Sequence, residues 1–178
     1  TIADCVYVGD HDLAQIETAR MSGSTDGDAV YLTRQVGDLN NDGHNDYLVG
    51  GGRLPGLTGF GAGTVFVVHG PVVGEFDLAN AQATLVGALP ESTLGFSLAK
   101  LGDVNGDGNS DFLVGAPNAG GNVLAQPTDA GRAYLFHGPV DGATTLADAA
   151  ATFTGQGIRD GAGHAVADAR DVTGDGVR

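Results

Sequence analysis

Asp38, Asn40, Asp42 and Asp46 occupy positions 1, 3, 5 and 9 of the segment Asp38-Leu39-Asn40-Asn41-Asp42-Gly43-His44-Asn45-Asp46. Asp103, Asn105, Asp107 and Asp111 repeat that spacing, with Gly108 in the place of Gly43. A third copy opens with Asp171, Thr173 and Asp175, followed by Gly176. Oxygen-bearing side chains at alternate positions let one short turn aim several hard ligands at a single centre, and the glycine allows the bend between them. The backbone carbonyls of His44 and Asn109, at the seventh positions, complete the expected ligand sets. All-oxygen donors of this kind suit Ca²⁺ rather than Zn²⁺ or Mg²⁺. Asp, Asn and Gly also favour plain hairpin turns, but a turn has no need of four ligand positions kept in register in two complete copies.

The residues after each loop define what kind of loop it is. A helix–loop–helix calcium site needs a bidentate Glu at position 12, and this chain has Val49 and Val114 there. Directly behind Asp46 and Asp111 stand Tyr47-Leu48-Val49-Gly50 and Phe112-Leu113-Val114-Gly115. These are short apolar runs rich in β-formers and stopped by glycine, so each loop joins two strands.

The first aspartates of the loops lie at 38, 103 and 171, a period that signals repeated supersecondary units. The likeness extends beyond the loops. Gly63-Thr64-Val65-Phe66-Val67-Val68-His69-Gly70-Pro71-Val72 parallels Gly131-Arg132-Ala133-Tyr134-Leu135-Phe136-His137-Gly138-Pro139-Val140. Asp77 to Thr84 parallels Thr145 to Thr152, with a weaker copy at Asp12-Leu13-Ala14-Gln15. The spacing predicts four strands per unit, near 29–37, 47–51, 64–69 and 83–87, then near 95–101, 111–115, 132–137 and 150–154. The Leu-Ala stretches before the fourth strands are about two turns long, and are expected as a turn or short helix. Four strands per unit describe the blade of a β-propeller.

Leu94-Gly95-Phe96-Ser97-Leu98-Ala99 and Gly115-Ala116-Pro117, flanking the loop at Asp103, resemble the FG-GAP repeat of integrin α-subunit propellers and their bacterial, integrin-like relatives. Three features depart from the motif: Leu94 replaces its aromatic in one unit, Ala29-Val30 replace the pair in another, and Gly50-Gly51-Gly52 stand for Gly-Ala-Pro. The resemblance implies an all-β partial propeller of four-stranded blades with calcium loops between the first and second strands. On that reading residues 1–23 end a preceding blade, 24–87 and 88–155 form two complete blades, and 156–178 begin another. Two whole blades fall short of the roughly four to eight of a closed propeller, so further blades of the same or a neighbouring chain are expected partners.

Composition narrows the function. A formal net charge of −14, from 22 acidic against 8 Lys and Arg residues, excludes the cationic footprint that nucleic-acid binding requires. No apolar run is long enough for a membrane span. The single cysteine, Cys5, allows no internal disulfide and is expected as a small strand residue, with half of a bridge to another part or another chain as the alternative. Calcium in place of disulfides fits an extracellular or cell-surface protein, where free calcium fills weak sites. No Gly-x-Ser-x-Gly elbow or His-Glu-x-x-His motif is present, and every paired carboxylate is claimed by a loop. His69 and His137, at equivalent positions before Gly-Pro, are expected to serve the blade rather than to ligate. With no Trp, 4 Tyr and 7 Phe, the chain is poor material for a stacking lectin site. The expected function is therefore non-enzymatic: a calcium-binding propeller segment of a secreted adhesion, scaffold or assembly protein. Two alternatives stand beside it, a non-catalytic propeller module of a larger secreted hydrolase or lyase, and a homo-oligomeric filament subunit whose blades neighbouring chains complete.

Overall fold

A computed structural model describes residues 5–6, 20–22, 30–51, 61–89, 92–120 and 130–170. Among them the secondary structure is almost wholly β. Strand β1 is Cys5–Val6, β2 Arg20–Ser22, β3 Val30–Gly37, β4 Asp46–Gly51, β5 Thr64–Val68 and β6 Glu75–Asp77. Strand β7 is Ala83–Val86, β8 Ser97–Gly102, β9 Asp111–Ala116, β10 Arg132–Phe136 and β11 Ala151–Thr154. The Leu-Ala segments form single 3₁₀ turns, Leu78–Asn80 and Leu146–Asp148. Each is too short for the tighter helix to extend, and each is capped, by Asp77 accepting from the Ala79 N–H and by a Thr145/Asp148 capping box.

Two four-stranded sheets carry the fold, in the orders β3-β4-β5-β7 and β8-β9-β10-β11. Every pairing within them is antiparallel. The strands form where β-branched and aromatic residues dominate, as in Thr64-Val65-Phe66-Val67-Val68, and end where Gly-Pro or Asp-Asn-Gly sequences remove ladder donors or favour turns. The first strand of each sheet leaves the ladder through the same irregularity. A register shift puts Gly37 opposite Asp46 in one sheet and Gly102 opposite Asp111 in the other. Such a shift bends the strand and redirects the chain into the loop that follows.

Alternation of side chains across the pleat explains the two cores. Leu48, Val65, Val67, Ala83 and Leu85 of the first sheet meet Leu98, Phe112, Val114, Tyr134 and Phe136 of the second in one buried cluster. At its centre the Phe112 and Phe136 rings stack at a centroid distance of 5.4 Å and an interplanar angle of 20°. The opposite face of the first sheet, with Val49 and Val68, closes over Met21 and Leu78 in a second cluster. There β2 pairs in parallel with β6, a strand that the sequence pattern left unassigned. Face-to-face stacking of successive four-stranded sheets built from successive repeats is the arrangement of propeller blades.

The face of the second sheet that corresponds to the Leu85 face of the first is different. Phe153 on β11 occupies the place of the buried Leu85 on β7, yet it is 55% exposed. Phe112→Ala should therefore cost about 3–5 kcal/mol, by loss of transfer energy and the cavity left behind. Phe153→Ala should stay within about 0.5 kcal/mol of the parent. Urea unfolding curves of the two variants check this, and equal losses would refute the assignment of the core to the space between the sheets.

Candidate metal loops

The bends after β3 and β8 place the two aspartate-rich loops on the same end of the stacked sheets. Within each loop the first aspartate acts as a hub. Asp38 Oδ1 accepts from the Asp42 N–H at 3.0 Å and its Oδ2 from the Gly43 N–H at 2.7 Å. In the second loop Asp103 accepts from the Asp107 N–H at 3.1 Å and the Gly108 N–H at 2.8 Å. Asn40 and Asn105 each accept from the N–H two residues on, and Asp42 and Asp107 do the same for His44 and Asn109. Gly43 and Gly108 hold φ of 87° and 93°, a conformation that a side chain would strain. The loop is thus folded by its own candidate ligands.

The ninth residue of each loop anchors it to the sheet. Asp46 and Asp111 are fully buried at the starts of β4 and β9. Asp46 Oδ2 accepts from the Leu39 N–H at 2.7 Å and its Oδ1 from the Gly70 N–H at 2.8 Å. Asp111 repeats the pair with the Val104 N–H at 2.7 Å and the Gly138 N–H at 3.1 Å. Each carboxylate therefore ties the loop's second residue to the Gly-Pro corner that ends the third strand. Those two glycine donors are functional residues that spacing alone missed, although the His-Gly-Pro signature repeated at both corners was a visible signal.

The histidines of that signature stand beside the loops. His69 Nδ1 lies 3.3 Å from the Asn40 amide nitrogen. His137 Nδ1 lies 3.3 Å from Asp111 Oδ1, an ion-pair distance without hydrogen-bonding geometry.

Electrostatics separate the loop carboxylates. The Asn40 amide and the His44 N–H hold Asp42 below the usual carboxylate range. The Asn109 N–H and the Asn105 amide do the same for Asp107. Burial pushes Asp46 upward, and the Gly70 and Leu39 N–H groups offset only part of that push. An ionised Asp46 is thus a buried negative charge that a cation would relieve.

Asp38, Asn40, Asp42, His44 and Asp46 are brought into one loop, and Asp103, Asn105, Asp107, Asn109 and Asp111 into the other. Asp171, Thr173 and Asp175 lie outside the described residues, as does the Asp12–Gln15 stretch. Among the described residues no three His, Cys, Asp or Glu side chains converge on a common centre, because each loop carboxylate is turned toward backbone N–H donors. The donor set nevertheless fits a hard cation. A carboxylate offers about four lone-pair sites, so two N–H bonds leave it acceptor capacity, and every candidate ligand atom is oxygen.

Stacked four-stranded sheets with an aspartate-rich loop between first and second strands define a repeat protein of the propeller class. More particularly, residues 94–136 match the FG-GAP repeat family model, so the chain carries FG-GAP repeats. It is 39% identical over 111 residues to phosphatidylinositol-glycan-specific phospholipase D of Mus musculus, covering 59% of this chain and 12% of that protein. It is 33% identical over 159 residues to integrin alpha pat-2 of Caenorhabditis briggsae, covering 80% of this chain and 12% of that one. Integrin alpha-3 of Mus musculus is 31% identical over 129 residues, or 72% of this chain and 11% of its own length. The chain thus spans about an eighth of the relatives it matches.

The anchoring geometry makes a calcium-free prediction. Asp111→Ala strands the Val104 and Gly138 N–H donors at the sheet edge, and should destabilise the chain by about 2 kcal/mol or more in the presence of chelator. Asp107→Ala, whose side chain is exposed and bonds only within its loop, should give a clearly smaller loss under the same conditions. Chemical denaturation of both variants in chelator measures the difference, and the reverse order would show that Asp111 is not the anchor.

Proposed function

We propose that the chain is a non-enzymatic, calcium-binding, integrin-like propeller segment of an extracellular adhesion, scaffold or assembly protein. The observation that carries this reading is the duplicated loop. Two repeats keep the same oxygen donors in the same positions, fold them by the same backbone bonds, and anchor each on a buried aspartate. Asp38, Asn40, Asp42, the His44 carbonyl and Asp46 would hold one ion, and Asp103, Asn105, Asp107, the Asn109 carbonyl and Asp111 a second. Asp171, Thr173 and Asp175 would begin a third set. The ion's contribution is charge neutralisation in a strongly acidic chain, together with further ordering of loops otherwise held by N–H bonds to their own side chains. A structural role fits sites that join strands of one sheet and carry no nucleophile. No helix among the described residues is long and apolar enough to cross a membrane.

A second reading has its own support. The similarity to phosphatidylinositol-glycan-specific phospholipase D favours a non-catalytic propeller module within a larger secreted enzyme, with the chemistry in another part of the polypeptide. Both readings share the calcium loops, and they diverge in what the repeats are joined to.

Calcium should raise the Tm of the chain, and chelator should reverse the gain. A site with a Kd of about 10⁻⁴ M in about 2 mM Ca²⁺ contributes roughly 1.8 kcal/mol by mass action. Titration calorimetry should detect binding, and Asp107→Ala should abolish it in the second loop while the first still fills. Absence of any calcium heat in the parent chain would refute the reading.

A further inference from the structure

The two loops touch. The Ser110 N–H, one residue before the second loop's ninth position, donates to the carbonyl of Asp38, the first position of the first loop, at 2.7 Å. A second contact runs through Gly138. A Cβ placed on that glycine would stand 2.5 Å from the Leu39 carbonyl oxygen and 2.7 Å from that of Ser110. The Gly138 backbone is therefore seated directly against one residue from each loop, and only glycine permits the approach.

These contacts join the two buried anchors by backbone alone. Asp46 Oδ2 holds the Leu39 N–H. The Leu39 carbonyl packs on Gly138. The Gly138 N–H in turn is held by Asp111 Oδ1. Leu39 is fully buried within the core between the sheets, so it cannot shift independently of them. Peptide groups in this position are stiff links. A change in where Asp111 sits is passed to Gly138, then to Leu39, and so to Asp46.

We propose that the two loops bind calcium cooperatively, coupled through the Asp46–Leu39–Gly138–Asp111 link and the Ser110–Asp38 hydrogen bond. The proposal rests on the calcium reading above and adds its regulation. An ion that fixes one ninth-position carboxylate orders the backbone that positions the other, so the second loop meets a lower ordering cost when it fills. Such coupling is reciprocal, and a chain of this kind carries about 5-fold or more in affinity. Gly138, Leu39 and Ser110 are positioning residues in this scheme, since none supplies a side-chain ligand.

The test is a calcium chloride titration of the full chain, followed at the Gly43 and Gly108 amide resonances so that each loop reports separately. In Asp107→Ala, the affinity of the first loop should fall by about 5-fold or more relative to its value with the second loop filled, and Asp42→Ala should lower the second loop's affinity by the same factor. Hydrogen exchange at the Leu39 and Gly138 amides should slow when either loop fills. Gly138→Ala keeps every ligand but forces Leu39 and Ser110 away, so the loops should then fill independently. Unchanged affinity of each loop when the other is emptied would overturn the coupling and leave calcium binding intact. Absence of calcium binding in the parent chain would instead remove the reading on which it stands. The comparison of Asp42→Ala with Asp107→Ala decides the matter even if Gly138→Ala does not fold, because both substituted side chains are exposed.

Discussion

Two buried carboxylates hold this architecture in register. Asp46 and Asp111 each begin a second strand, and each accepts one N–H from its own loop and one from the corner after the third strand. Without them, two chain segments at one end of each sheet would present unpaired donors to a protein interior. With them, the loop, the second strand and the third strand's exit become one unit. A carboxylate suits this role better than an amide, since it is acceptor-only on both oxygens and its bonds are charge-assisted. Its burial also has a consequence for ion binding, because a negative charge withdrawn from water is stabilised by any cation the neighbouring loop can bring near.

Around these anchors the packing is repetitive. The aliphatic face of the first sheet meets a face of the second that is rich in aromatics. Leu48, Val65, Val67 and Leu85 on one side, and Phe112, Tyr134 and Phe136 on the other, fill the space between them. The inner strands of the first sheet, β4 and β5, are therefore covered on both faces, which is why their sequences read as nearly continuous apolar runs. The outer strand β7 alternates strictly, buried and exposed in succession. A further tie, from the Arg34 guanidinium to the Leu98 carbonyl at 3.3 Å, bridges the two sheets through a polar contact.

The relatives place these repeats in two settings, one named for integrin alpha chains and one for a phospholipase D. What is common to both is a stretch, about an eighth of each protein, that is similar to this chain. A stacked, loop-anchored sheet is well suited to such reuse. Its stability derives from neighbouring sheets and from its loops, and its chemistry is left to whatever the loops on other edges or other parts of the polypeptide provide.

Much of this was legible in the residues themselves. The repeat period, the strand positions to within a residue or two, the four-stranded units and the loop positions follow from local signals, namely glycine, turn residues and runs of β-branched side chains. Those signals act over a few residues, so a linear reading recovers them. Strand β6 escaped because Glu75-Phe76-Asp77 has no apolar pattern of its own and pairs with β2, far away in the chain. The glycine donors at positions 70 and 138 escaped for a similar reason, since a backbone N–H carries no signature of its acceptor. The sequence by itself determined which atoms could bind a hard cation and how often they recur. Only the tertiary structure decided that the ninth-position aspartates are buried anchors, and that the two loops lie against each other through Leu39, Ser110 and Gly138. Those are contacts between segments tens of residues apart, and they exist because the sheets stack.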